Sequence, residues 1–122
     1  MINVTLNLSS EHLHEEDLQA LTRALCNKIN TETAHEAVLN SQDEEISAKG
    51  TKILFGVILL KLLLDQDHLQ LAIFVAALEE YERHGIQITL KNENGELYTL
   101  QELKEIVKNK DWQKIIKFVS NT

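Results

Sequence analysis

The first ten residues alternate between apolar and polar side chains. The apolar positions are Ile2, Val4, Leu6 and Leu8. A period of two is typical of a β-strand that buries one face, so we predict a strand at the start of the chain. Ser9 and Ser10 end the alternation and offer an N-cap for a helix. Apolar side chains then recur at helical spacing, which predicts a first helix over residues 13–30.

The most apolar stretch lies in the middle of the chain, at residues 53–64, and reads ILFGVILLKLLL. Apolar side chains occupy nearly every position, so we predict a helix over residues 52–64 that is surrounded by protein. Such a helix spans about 18 Å, whereas the hydrocarbon core of a bilayer is ~30 Å thick, and Lys61 interrupts it. We therefore expect a core helix and not a membrane span. Gly56 inside it indicates close approach by another element.

Polar residues at 65–67 follow, and Asp67 could cap a second helix over residues 68–84. Gly85 is well placed as the left-handed residue that ends this helix. Because the break is short, one continuous bent helix from 52 to 84 is the alternative.

The clearest local signal is a β-hairpin over residues 86–100. Its first strand carries Ile86, Ile88 and Leu90, which alternate with polar side chains. Asn94 and Gly95 tolerate the positive φ of a tight turn, and a partner strand follows. A weaker strand signal lies at residues 37–39.

Two helix signals follow the hairpin. Thr99 and Glu102 have the spacing of a capping box, and Asp111 could cap a last helix that carries Trp112. The predicted order is strand, helix, weak strand, two helices, hairpin and two helices. This order favours an α+β fold, with a mixed or antiparallel sheet of three to four strands and four to five helices mainly on one face.

Length and charge narrow the class of protein. The 122 residues suit a single domain, which we expect to cover residues 1–122, with residues 109–122 as an appended helix. The net charge is −7, whereas a nucleic-acid-binding chain needs clustered Lys and Arg, so we expect no nucleic-acid partner. Lysines between Lys104 and Lys117 alternate with acidic residues and favour a solvated helix face. A phosphate-binding patch and an acidic protein partner are the alternatives for this cluster.

The expected compartment follows from cysteine use. Cys26 is the only cysteine, so no disulfide can form within the chain, and a reducing compartment is favoured. The first ten residues lack the basic and apolar blocks of a signal peptide. We therefore expect a cytoplasmic protein with no membrane partner.

Side chains that could carry chemistry do not converge in the sequence. His12 and His14 would diverge by about 200° on a helix, whereas a metal site needs three or four converging ligands. Asp65 and His68 could hold a general base only beside a cleft. Cys26 has no evident basic flank that would activate its thiol. We expect no catalytic residue, no metal and no cofactor, and predict that the chain is not an enzyme.

An unusually apolar middle without active-site chemistry favours a protein-binding module. The predicted contact is the hairpin edge, since an unpaired edge can accept another strand, or part of the apolar surface between residues 53 and 78. The predicted partner-binding residues are Ile86, Ile88, Leu90, Tyr98 and Trp112. A charge at Ile88 should then abolish partner binding and leave the fold intact.

The order of elements resembles the effector-associated constant component family of bacterial conflict systems. The likeness is carried by a loop that ends in Gly50, an apolar helix at 51–64, a break at 65–67, a second helix at 69–84 and the hairpin at 86–100. It covers residues 2–108. The resemblance implies a non-catalytic adaptor that binds a signalling NTPase or an effector protein, such as a protease, in a prokaryotic defence system. The partner would then supply any nucleotide binding, catalysis or metal.

Two other interpretations stay open. One is a small self-associating enzyme or ligand-binding protein, with a pocket between the apolar helices and His68, Asp65 or His35 in its wall. The other is a homodimer made by pairing those helices, with no further partner.

Overall fold

β1 (Ile2–Ser10) lies at the centre of an antiparallel sheet in the computed structural model, which describes residues 2–40, 44–46 and 52–120. The other strands are β2 (Glu36–Leu39), β3 (Glu44–Ile46), β4 (Lys52–Leu62), β5 (Gln87–Lys91) and β6 (Leu97–Thr99). Their order across the sheet is β2-β4-β1-β5-β6, and β3 pairs with β4. The helices among these residues are α1 (Glu15–Glu32), α2 (Leu69–Glu82), α3 (Leu100–Asn109) and α4 (Trp112–Ser120).

The two faces of the sheet differ in what covers them. One face carries the buried strand residues Val4, Leu6, Leu8, Ile58, Leu60, Leu62, Ile88 and Leu90. The helices pack on this face, and their side chains join the same core, among them Leu18, Phe74, Leu103 and Phe118. The opposite face carries Asn3, Thr5 and Asn7 of β1 and the residues paired with them, which are exposed or half-buried. We call this second face the open face.

The apolar stretch that was predicted as a helix is a strand. β4 pairs with β1 on one side and with β2 and β3 on the other. Leu60 is buried under the helices, whereas Leu59 and Lys61 lie exposed on the open face. The prediction failed because apolar residues on both faces of the strand hid its period of two, and because leucine is a good helix former. One continuous helix from 52 to 84 is therefore excluded.

The strand at 52–62 also corrects the size of the sheet. The sequence predicted three to four strands, whereas the described residues form six, because neither β3 nor β4 was anticipated. The α+β class is confirmed, the pairing is antiparallel throughout, and the described residues contain four helices. None of these helices combines the length and the apolar character that crossing a bilayer requires.

Three of the predicted turns and element ends are confirmed. Gly85 has a φ of +82° just after α2, and Gly95 has a φ of +85° in the hairpin turn. The Thr99 hydroxyl accepts from the Glu102 N–H at 3.2 Å, and the Glu102 carboxylate accepts from the Thr99 N–H at 3.2 Å, which completes the capping box. These signals are local in sequence, so they survive the error at β4.

Two predicted caps are wrong. The Ser10 hydroxyl accepts from the N–H groups of His12 and Leu13, both at 3.1 Å, in the turn that precedes α1, and the helix itself begins only at Glu15. The residue that precedes α2 is His68, with a φ of +54°, and not Asp67.

Gly56 lies where α1 crosses β4. A methyl group at this position would overlap the side chain of Thr22, whose hydroxyl donates to the Leu18 carbonyl at 2.7 Å within α1. The predicted close approach at Gly56 is therefore confirmed, although on a strand. Glycine lets the helix lie close against the sheet at this point.

Asn92 is buried and joins the hairpin turn to α4. Its Oδ1 accepts from the N–H groups of Asn94 at 3.0 Å and Glu96 at 2.9 Å. Its Nδ2 donates to the Phe118 carbonyl at 2.8 Å and to the Glu96 carboxylate at 3.3 Å. One side chain thus fixes the turn and anchors the last helix.

Asn92→Asp is expected to destabilise the protein by about 1–3 kcal/mol. The change keeps the oxygen that orders the turn, but it sets a second oxygen against the Phe118 carbonyl and the Glu96 carboxylate. Asn94→Asp is the matched control, because it adds the same charge to the same turn at an exposed position. Chemical denaturation should show a clear loss for the first variant and almost none for the second, and equal losses would contradict the assigned role.

Candidate functional site

Three of the five predicted contact residues lie in the core. Ile86 and Ile88 are 3% exposed and Leu90 is fully buried. β5 is flanked by β1 and β6, so the hairpin presents only the three-residue strand β6 as a free edge. These side chains are out of a partner's reach, and the expectation that a charge at Ile88 spares the fold is corrected.

The other two predicted contact residues stack within the chain. The ring of Tyr98 lies parallel to that of Phe118, with 4.0 Å between ring centroids and 7° between ring planes. The Trp112 ring stacks on His68 at 4.8 Å and 16°. Both side chains are half-buried, and both pack against the core at α4.

The structure exposes a different apolar surface, on the open face. Val38, Leu59 and Leu97 are 63%, 45% and 55% exposed. Strand register places them level with one another: Val38 pairs with Leu59, Leu59 with Thr5, Thr5 with Lys91, and Lys91 with Leu97. We call these five residues the cross-strand row. It runs over all five strands of the sheet path and carries three exposed large apolar side chains.

A concavity of about 380 Å³ lies on the open face around the β2 half of this row. The strand residues of the open face that line it are Asn3, Thr5, Glu36, Val38, Leu59, Lys61 and Lys91. Glu93 of the hairpin turn lines it as well. Two of its charged residues are basic and two are acidic, and Glu36 is paired directly with Lys61 across the strands. The site therefore has an apolar centre and a charge-balanced rim, although the chain as a whole carries −7.

His35 is used as a structural bridge. Its Nδ1 accepts from the Leu63 N–H at 2.9 Å, so its Nε2 carries the proton and donates to the Gln70 carbonyl at 3.0 Å. The ring is 2% exposed, and burial lowers its pKa below the ordinary 6.5, against opposing effects of the Gln70 carbonyl and Asp65. Both ring nitrogens are occupied by backbone groups, so His35 has no nitrogen left for a ligand.

The remaining candidate side chains do not meet at the concavity. Asp65 and His68 lie in the connection to α2, and each buries one polar atom for which the described part of the chain offers no hydrogen-bond partner. Cys26 is buried on α1, and desolvation raises the pKa of its thiol, which disfavours the thiolate. Among the described residues, no group of three or more His, Cys, Asp or Glu side chains could hold a metal ion. The side chains that could carry chemistry and the concavity on the open face thus lie in different parts of the fold.

The sequence contained one faint signal of the open face. Val57, Leu59 and Lys61 follow the same period of two as Ile58, Leu60 and Leu62, and only a strand separates the two sets. With a helix assumed over 52–64, Leu59 could not be assigned to the same surface as Val38 and Leu97.

Comparison of the chain with models of known protein families, with curated proteins and with solved structures finds no match.

Proposed function

We propose that this chain is a non-catalytic protein-binding module whose contact surface is the open face of its sheet. The cross-strand row is the observation that supports it. Val38 and Leu59 are exposed apolar neighbours on adjacent strands, and Leu97 lies level with them three strands beyond Leu59, past Thr5 and Lys91. Exposed apolar residues on one face with a polar rim are typical of an interaction site. Burying the exposed parts of Val38, Leu59 and Leu97 would contribute on the order of 3 kcal/mol.

The chemistry of the rim favours protein over other partners. A nucleic-acid site needs a surplus of positive charge, whereas this rim balances Lys61 and Lys91 against Glu36 and Glu93. A mixed rim around an apolar centre is the usual composition of a protein interface. We place this binding in the cytoplasm, in line with a chain that has one buried cysteine.

The adaptor function for a signalling NTPase or an effector such as a protease stays a prediction from the family resemblance. One element that carries the resemblance, the apolar helix at 51–64, overlaps the strand β4. The proposal of protein binding therefore rests on the open face and not on the resemblance.

A small-molecule ligand is the second candidate, because a volume of about 380 Å³ lies within the range of ligand sites. The alternative drawn from the sequence placed such a pocket between apolar helices, with His35, Asp65 or His68 in its wall. The concavity lies instead on the sheet, and none of these three residues lines it. Four charged residues around two exposed apolar side chains favour a protein surface over a small apolar ligand.

Leu59→Glu is expected to weaken capture of the bound protein at least about tenfold, because it places a charge at the apolar centre of the proposed contact. Tagged variants would be expressed in the native cells, and the proteins recovered with each would be quantified by mass spectrometry. Leu69→Glu is the matched control, since Leu69 is 56% exposed in the first turn of α2, outside the open face.

Denaturant titration separates binding from folding, because both variants should remain folded, although Leu59→Glu is expected to cost some stability since Leu59 is 45% exposed and lies in an interior strand. Retention of the partner by Leu59→Glu, or an equal loss in Leu69→Glu, would overturn the assignment of the open face.

A further inference from the structure

We propose that the open face is occupied by a second copy of this chain, packed face to face about a two-fold axis that runs along β1. This inference rests on the proposed function, because it fills the same surface. It differs from the homodimer considered from the sequence, in which apolar helices would pair.

The exposed apolar residues are placed symmetrically on either side of β1. β1 is the third of five strands in the sheet path, and Thr5 is the middle residue of the cross-strand row. Val38 and Leu97 lie two strands away on opposite sides, each about 10 Å from β1 at the usual strand spacing. The two-fold axis is parallel to β1 and lies between the two open faces. The rotation brings Val38 of one copy opposite Leu97 of the other at two symmetric places, and the two Thr5 residues face each other across the axis. The same rotation sets Leu59 against the aliphatic stem of Lys91.

The rim charges fit the same rotation. Lys61 is paired with Asn3, two residues before Thr5, and Glu93 lies two residues beyond Lys91 at the other side of β1. The rotation therefore brings Lys61 of one copy toward Glu93 of the other. The open face thus attracts a second copy locally, even though each chain carries a net −7.

The other routes to self-assembly through the sheet are weaker. β6 offers an edge of only three residues. At the β2 edge, the side chain of Asn30 donates to the Ala37 carbonyl and accepts from the Ala37 N–H, both at 2.8 Å. That amide occupies the backbone groups that another strand would need. Compared with these two edges, the open face is the better surface for a second copy.

The area of the open face determines how tightly two copies are expected to bind each other. Five strands at ~4.8 Å spacing and a usable length of about six residues give on the order of 500 Å² per copy. Roughly 1,000 Å² in total is near the lower limit for specific interfaces. We therefore expect a reversible dimer with a dissociation constant in the micromolar range.

Charge exchange between positions 38 and 97 tests the geometry. The purified wild-type chain of 122 residues should pass from a monomer of 13.9 kDa to a dimer in analytical ultracentrifugation as its concentration rises through the micromolar range. Val38→Glu and Leu97→Lys should each weaken the dimer by about tenfold or more. The double variant should regain dimerisation, because the carboxylate introduced at position 38 would then face the ammonium group introduced at position 97 of the other copy. Within one chain these positions are about 19 Å apart, so the rescue must act between copies.

Each other result overturns the inference. A monomer at every concentration excludes the second copy, and a double variant as weak as the single ones excludes the two-fold along β1. Leu69→Glu should dimerise like the wild type, and a loss there would point to a different interface. The two proposals can be distinguished. If the protein is monomeric but Leu59→Glu still loses its captured partner, the second copy is excluded, and the open face remains a binding site for a different protein.

Discussion

Gly56→Ala is expected to destabilise the protein by about 2–3 kcal/mol, as overpacking does in a tightly packed core. The added methyl group would overlap the Thr22 side chain on α1. Thr22 is buried and its hydroxyl is held by the Leu18 carbonyl at 2.7 Å, so it has little freedom to move aside. Denaturant titration of the free energy of unfolding measures the effect directly.

A double-mutant cycle tests whether the contact with Thr22 causes this loss. Alanine is about 1 kcal/mol more favourable than glycine in an unobstructed helix, but the buried helix predicted from the sequence also placed Gly56 against another element, so the sign of the change alone does not separate helix from strand. Thr22→Ala supplies the second half of a double-mutant cycle, because it removes the atoms nearest the new methyl group. The double variant should be more stable than the sum of the single losses by about 1–2 kcal/mol. A stabilising Gly56→Ala, or additive losses, would contradict the contact between α1 and β4.

The parts of the fold that the sequence predicted correctly depend on neighbouring residues. Alternation identified β1, the left-handed glycines Gly85 and Gly95 marked a helix end and a turn, and the Thr99 capping box marked the start of α3. Each of these signals fixes backbone dihedrals within a few residues. They therefore hold whatever the rest of the chain does.

β4 could not be identified in this way, because its conformation is imposed from a distance. Leu60 is paired with Val4 on one side and with Ala37 on the other, and both partners lie far away in the sequence. A strand in the interior of a sheet can carry apolar side chains on both faces, and its local pattern then looks like that of a buried helix. Only the pairing, and the contact of Gly56 with Thr22, distinguishes the two.

The candidate site was missed for the same reason. The predicted contact residues Ile88 and Leu90 lie on the correct side of the hairpin for a core, and β1 covers the edge that was expected to be free. Val38 becomes a neighbour of Leu59, and Leu97 lies level with both on the far side of β1, only when β4 is placed between β2 and β1. The open face is therefore a product of sheet order, to which the alternation of Val57, Leu59 and Lys61 was only a faint local signal.

His35→Leu is expected to cost about 1–3 kcal/mol, because it removes both hydrogen bonds that the buried ring makes to backbone groups of two different elements. These groups are the Leu63 N–H at the end of β4 and the Gln70 carbonyl at the start of α2. The ring also meets Phe74 edge-on, with 5.5 Å between centroids. The substitution thus breaks the link that joins the sheet, the loop after α1 and the second helix.

The pH dependence of stability tests the same link. The Nδ1 atom of His35 must stay unprotonated to accept from Leu63, and burial lowers the pKa of the folded ring below the ordinary 6.5. As the pH falls below 6.5, the unfolded chain takes up a proton before the folded one, so the stability contributed by His35 is complete above 6.5 and is lost toward the folded pKa. Asp65 opposes this effect, because its charge favours the protonated ring.

Unfolding free energies measured from about pH 8 to about pH 5 should therefore fall more steeply for the wild type than for His35→Leu, by up to about 1.4 kcal/mol per pH unit. Subtracting the two curves removes the contribution of groups that both proteins share. His84→Leu, at an exposed position, controls for the loss of a histidine as such. Parallel curves for wild type and His35→Leu would show that the ring is not held neutral, and would contradict its role as a bridge between β4 and α2.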